Sequence, residues 1–296
     1  MVILEHIISE FALFWVDTSA AIRIIVFFLL WLGIWLPLAI PCVIALNWRP
    51  PQPLNPNQKI VLLASLYLIA PGILWNLAQL EDSSLANWGL LWQPKLLISL
   101  GWGLSIGLAG LILLFGLQRL FNWIVWPSSD RTNASDPNGS SDRKIPSFQT
   151  VLIPTFLLAV WIGGTEELIF RGFLFNQLQQ NNSIWLAASL SSAIFAGLHL
   201  VWGWRDALPQ LPGLWLMGMV LVLALWGDGG QLGLAWGLHS GWVWAIAVVD
   251  SVPLITYTKH SPDWLVGFGE KPLAGVMGLS LLLVTGVVVW QLSPLL

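Results

Sequence analysis

Long apolar runs separated by short polar breaks make up most of this chain, and the length of each run is its first informative feature. A bilayer core about 30 Å thick is crossed by roughly 20 apolar helical residues. Seven stretches meet that length, at residues 20–46, 60–80, 96–117, 148–177, 183–204, 232–249 and 273–292, and a shorter one at 211–226 makes eight. In lipid only helices and closed barrels satisfy every backbone N–H and C=O, and runs this long are helical. The pattern therefore predicts an all-α, polytopic membrane protein of about eight transmembrane helices. Ahead of them, Ile3, Leu4, Ile7, Ile8, Phe11, Phe14 and Trp15 recur at helical spacing. That spacing fits either a helix lying in the interface or a short packing helix. Glu5 and Glu10 stand where a signal peptide would carry basic residues, so this helix is expected to stay in the mature protein.

One polar break differs from the others. Residues 127–147 mix Ser, Asp, Asn, Gly and basic residues with almost nothing apolar, the composition of a flexible linker. It divides residues 1–126, a set of N-terminal membrane helices, from residues 148–296, a second membrane domain. With the N-terminus outside, the inner loops 47–59, 118–147, 205–210 and 250–272 collect nine of the twelve Lys and Arg residues. Positive charge gathers on the cytoplasmic side of membrane proteins, so this orientation segregates it best. Arg23 and Lys95 fall near outer helix ends, and Arg171 lies inside a helix. The expected location is a bacterial cytoplasmic membrane or an equivalent internal membrane.

Composition agrees with the pattern: 56% of residues are hydrophobic and 9% charged, against roughly 25% charged in soluble domains. The net charge of −3 and the lack of a long basic run set nucleic-acid binding aside and leave the lipid bilayer as the surrounding partner. A single cysteine, Cys42, permits neither an intrachain disulfide nor a thiolate metal cluster. Among the 21 tryptophans, Trp48, Trp88, Trp92, Trp126, Trp202, Trp204, Trp226 and Trp264 fall at helix ends, where interfacial anchoring accounts for them. Trp31, Trp102 and Trp161 fall mid-run and read as core or lipid-facing bulk.

Against this background the ionisable groups inside the runs stand out, because each is expensive in hydrocarbon and is a functional candidate by default. They are Glu166, Glu167 and Arg171 in the fourth run, His199 in the fifth and His239 in the seventh. Glu167 and Arg171 are four residues apart, share a helix face and can neutralise each other as a structural pair. Glu166 points about 100° away and is free to face His199 or His239. A carboxylate and two imidazoles in a desolvated pocket can activate water: Glu as general base, one His orienting water or donating a proton, the other meeting developing negative charge. The same three groups make a zinc set, an alternative set back by the absence of an H-E-x-x-H helix. A proton relay in a transporter is a further use of such groups, but paired broken helices in two matching halves are missing from the sequence. Gly163, Gly164, Gly172, Gly197, Gly237 and Gly241 flank these charges; they serve close helix packing, or room for substrate, or both.

At these residues the chain resembles the CPBP intramembrane proteases, which include type II CAAX prenyl endopeptidases and bacterial Abi proteins. Glu166-Glu167-Leu-Ile-Phe-Arg171 matches the family's E-E-x-x-x-R, and Phe195-Ala-Gly-Leu-His199 matches its F-x-x-x-H. His239 falls where the later H-x-x-x-N begins, and the likeness covers about residues 148–250. The resemblance implies a CAAX-protease-like fold of eight helices and an intramembrane peptidase that acts without a metal cofactor on a membrane protein or lipidated peptide. It implies that Glu166 and His199 activate water, that His239 stabilises the oxyanion, and that Glu167 and Arg171 support the site, with Phe195 beside the substrate. Where the family pattern has Asn, this chain has Val243, which cannot donate a hydrogen bond. Loss of one oxyanion donor costs roughly 10²- to 10³-fold in rate. Ser240, next to His239, or Ser192, two turns before His199, is the expected substitute. Without a substitute the fold would serve as a catalytically silent scaffold or chaperone-like binder. The C-terminal Ser-Pro-Leu-Leu carries no CAAX cysteine.

Overall fold

The computed structural model describes residues 2–49, 52, 54–126, 148–252, 254–258 and 260–292. The 127–147 linker and the inner-loop residue Lys259 lie outside the described residues. Helices α1 (Val2–Asp17), α2 (Ala20–Ala45), α3 (Pro56–Leu80) and α4 (Pro94–Leu120) come first, followed by a short strand β1 (Ile124–Val125). After the linker, α5 (Phe148–Glu167) passes through a π-helical turn, Leu168–Leu174, into α6 (Phe175–Gln179). Then come α7 (Ile184–Leu198), a 3₁₀ turn His199–Trp202, the single-turn α8 (Trp204–Ala207), α9 (Leu211–Gly227) and α10 (Gly233–Ser251). Strand β2 (Thr256–Tyr257), α11 (Asp263–Val266) and α12 (Val276–Leu292) complete the chain.

A helix is present at each of the eight expected runs, with ends within a few residues of the run except the fifth, which leaves α geometry before residue 199. Six spans are long and apolar enough to cross a bilayer, and α12 is a shorter apolar helix. The chain is an integral membrane protein. Helix starts follow from local chemistry: Asn55 and Gln58 form a reciprocal capping box with Pro56 in the first turn of α3, satisfying N–H groups the helix leaves unpaired.

Glycine determines which helices meet. Ideal Cβ atoms on Gly103 and Gly107 of α4 would strike the α10 backbone at Leu234 and Leu238, and those on Gly237 and Gly241 would strike α4 at Leu100 and Leu104. Contact positions rise together along both helices, so α4 and α10 run parallel, joined by small-xxx-small stripes that let the backbones touch. On the other side α10 meets α5 antiparallel. The Trp236 indole donates to the Val160 carbonyl at 2.7 Å, the Trp244 indole donates to Leu152 O at 3.1 Å, and Gly163 abuts Ser240. α10 is thus clamped between one helix from each side of the linker.

Polar groups tie the ends. Arg23, Glu81, Gln177 and the Trp15 indole form one network, with Gln177 donating to Glu81 at 2.8 Å and Trp15 donating to it at 3.0 Å. Trp15 is fully buried and stacks on Phe173, so α1 is anchored by packing at its C-terminal end. Beyond α9, Asp228 accepts from Ser99 at 2.8 Å and from the Leu234 N–H, which opens α10. Burial pushes its carboxyl above the usual range, against the opposing pull of Ser99, the Leu234 N–H and Lys95. At the opposite end β1 and β2 pair antiparallel, Ile124 with Tyr257 and Val125 with Thr256. The tryptophans divide less simply than their positions suggest. Trp92, Trp126, Trp204 and Trp264 are exposed anchors, whereas Trp88 is buried against Phe173 and is core; the Trp202 side chain lies outside the described residues. Trp31 is also core, while Trp102 and Trp161 are exposed on the outer surface.

Candidate active site

The fourth run delivers its charges at a change in helix geometry. Leu168–Leu174 is wound as a π turn and every one of its residues is buried. The Phe170 carbonyl accepts from the Phe175 N–H and also from the Ser191 hydroxyl of α7, at 2.8 Å. A side chain from a neighbouring helix thus helps satisfy the altered backbone, as lipid-embedded irregularities require. Such π turns occur often at functional positions.

Glu167 and Arg171 form the expected ion pair, Arg171 Nη1 donating to Glu167 Oε1 at 3.0 Å, with both side chains fully buried. The same oxygen accepts from His239 Nδ1 at 2.7 Å. With Nδ1 turned to Glu167, Nε2 points the other way. His239 Nε2 stands 3.4 Å from Glu166 Oε2. The imidazole is therefore a bridge between the two adjacent glutamates, one on each ring nitrogen. The other oxygen of Glu166, Oε1, accepts a hydrogen bond from the phenol of Tyr67 in α3. Of the two candidate partners for Glu166, the structure supplies His239, together with Tyr67, which lies outside the motif.

His199 sits elsewhere. α7 ends at Leu198, and His199 opens the 3₁₀ turn, half-buried, rather than lying mid-span as the unbroken run 183–204 had suggested. Its Nδ1 bonds the Phe195 carbonyl at 2.8 Å, leaving Nε2 as the free nitrogen. Among the described residues no hydrogen bond or ion pair joins His199 to Glu166. The link is aromatic: the fully buried Phe195 ring lies 4.7 Å from the His199 ring, 5.8 Å from the His239 ring and 4.7 Å from the Arg171 guanidinium. Phe195 thus lies against both histidines and the cation.

Ser192 and Ser240, the expected stand-ins for the missing Asn, are both fully buried with hydroxyls that find no partner. Ser192 faces Gly218 of α9, and Ser240 faces Gly163 of α5, one turn before Glu166. Val243 is half-buried one turn beyond His239 on α10. Of the flanking glycines, Gly163, Gly164, Gly172, Gly237 and Gly241 are close-packed against neighbouring helices. Gly197 differs: nothing lies within 4 Å of where its Cβ would stand, so there is open space two residues before His199. A zinc ion would need Glu166, His199 and His239 to converge; among the described residues no group of three or more His, Cys, Asp or Glu is placed to hold a metal.

Residues 148–245, about a third of the chain, match the family model described as type II CAAX prenyl endopeptidase Rce1-like, which is consistent with the CPBP family. The matched segment contains Glu166, Glu167, Arg171, Phe195, His199 and His239, the residues that carry the motif resemblance. No curated protein and no solved structure matches the chain.

Proposed function

Proceeding from the Rce1-like segment, we propose that this chain is an intramembrane peptidase that hydrolyses a peptide bond in or near the bilayer by Glu166- and histidine-assisted attack of water. The observation that carries the reading is the Glu166 carboxylate itself. It is buried in a membrane helix, its two oxygens face a phenol and an imidazole, and the nearby Arg171 guanidinium is hydrogen-bonded to Glu167 instead. A buried carboxylate set between a phenol and an imidazole is costly as glue but suited to proton transfer. Glu166 takes a proton from water, and the hydroxide adds to the scissile carbonyl carbon. The carbonyl oxygen becomes an oxyanion, met by the Ser240 hydroxyl and by the Nε2–H of His239 in its doubly protonated form. Collapse breaks the C–N bond, and the proton held by Glu166 passes to the leaving amine, directly or by way of His199 Nε2, which restores the carboxylate. Glu167 and Arg171 hold His239 by its Nδ1 and keep its Nε2 toward Glu166. No metal takes part, so chelators leave cleavage intact.

A membrane protein or lipidated peptide is the substrate class this placement favours. A second reading, a silent scaffold, draws support from Val243, which stands where the family pattern has a hydrogen-bond donor. Mass spectrometry of new protein termini in membranes separates the two. Products found with the wild-type chain are expected to vanish with Glu166→Gln and with His199→Ala at matched abundance. Unchanged termini, in cells where deleting the chain still gives a phenotype that both variants rescue, would leave the scaffold reading.

A further inference from the structure

The residue that completes the Glu166 environment lies outside the family-matched segment, on the other side of the linker. Tyr67 is one of only two tyrosines in the chain and sits in the middle of α3, with apolar Leu66 and Leu68 on either side. Its side chain is buried, and a phenol in hydrocarbon must find an acceptor. The acceptor it finds is Glu166 Oε1, 99 residues away in sequence. The ring is fixed as well: Trp31 of α2 meets it edge to face, with centroids 5.8 Å apart. Trp31 is itself pinned by its indole N–H, which donates to the carbonyl of Leu66 at 2.8 Å.

We infer that Tyr67 is a positioning residue for Glu166, whose hydroxyl clamps one carboxylate oxygen so that the other is held toward His239 and the reacting water. The inference rests on the peptidase reading above. Glu166 has little else to orient it. The guanidinium of Arg171 is directed to Glu167, and the contact of Glu166 with His239, at 3.4 Å, is looser than the 2.7 Å bond from His239 to Glu167. A carboxylate with a single loose partner would sample several rotamers, and a base displaced by about 1 Å loses roughly 10²-fold in rate. α2 and α3 thereby become part of the active machinery, which the Rce1-like match does not touch.

The test uses the full chain in phosphatidylcholine liposomes and a peptide spanning a cleavage site mapped from the membrane termini. Tyr67→Phe keeps the ring against Trp31 and removes only the hydroxyl, so folding is retained and is checked by the unfolding midpoint. The expected result is a kcat lower by roughly 10- to 100-fold with KM within about twofold. Infrared difference spectra against Glu166→Gln supply a readout independent of turnover: the Glu166 carboxylate band should shift in Tyr67→Phe. An unchanged kcat in Tyr67→Phe beside an inactive Glu166→Gln overturns the positioning role and leaves the peptidase reading standing. Full activity in Glu166→Gln overturns both. An infrared band that does not move removes the hydrogen bond on which the inference depends.

Discussion

At the residue scale the site is a polar chain: hydrogen bonds join Arg171 to Glu167, Glu167 to His239 and Tyr67 to Glu166, and a 3.4 Å contact between His239 and Glu166 links the two ends. Glu167 Oε1 accepts from both Arg171 and His239, so removing the guanidinium strands a fully buried carboxylate. Breaking one side of such a pair costs about 3–5 kcal/mol. Arg171→Met is accordingly expected to lower the unfolding free energy in detergent by that amount, and Glu167→Gln with Arg171→Met to recover most of it. Equal stability of the single and double variants would mean that the pair does not support the site. The i, i+4 pair was legible in the sequence because helix geometry alone brings the two residues together. The partner of Glu166 was only half legible. His239 was one of two candidates, but Tyr67 belongs to a helix whose neighbours no local rule predicts. A lone tyrosine hydroxyl in the middle of an apolar run was the signal available, since it too must be paired.

At the element scale α10 is the keystone, held by glycine stripes against α4 and by Ser240 and Trp236 against α5. Adding a branched side chain at Gly237 would drive Cβ into the α4 backbone at Leu100. Gly237→Val is therefore expected to separate the helices and displace His239. The measurable result is loss of the folded band after detergent extraction, whereas Gly197→Val, facing open space, should leave the fold intact. The two serines make a further prediction at this level. A hydroxyl buried without a partner contributes little to stability, so Ser192→Ala with Ser240→Ala should fold as well as wild type. If Ser240 supplies the donor that Val243 lacks, the same double variant turns over roughly 10²-fold more slowly; unchanged turnover would remove both serines from the mechanism. The helices themselves were legible because hydrophobic length is set by bilayer thickness. The π turn at Leu168–Leu174 was not, because the Ser191 hydroxyl that helps satisfy its backbone arrives from another helix. Nor was the early end of α7, which places His199 in a 3₁₀ turn.

At the scale of the whole molecule, the linker at 127–147 divides the sequence but not the site. Tyr67 reaches Glu166 from α3, and α4 packs along α10, so helices from before the linker surround the motif residues that the Rce1-like segment carries. Composition made the membrane setting plain and the motif pointed to the proposed chemistry, while the joining of the two halves depended on helix contacts far apart in sequence. The central claim is that the Glu166 carboxylate activates water for peptide hydrolysis. The most direct measurement incubates liposomes of the full chain and a mapped substrate peptide in ¹⁸O-enriched water and weighs the new C-terminus. The account predicts one ¹⁸O in the carboxyl group formed by wild type and no such product from Glu166→Gln. Labelled product from Glu166→Gln at the wild-type rate would contradict it.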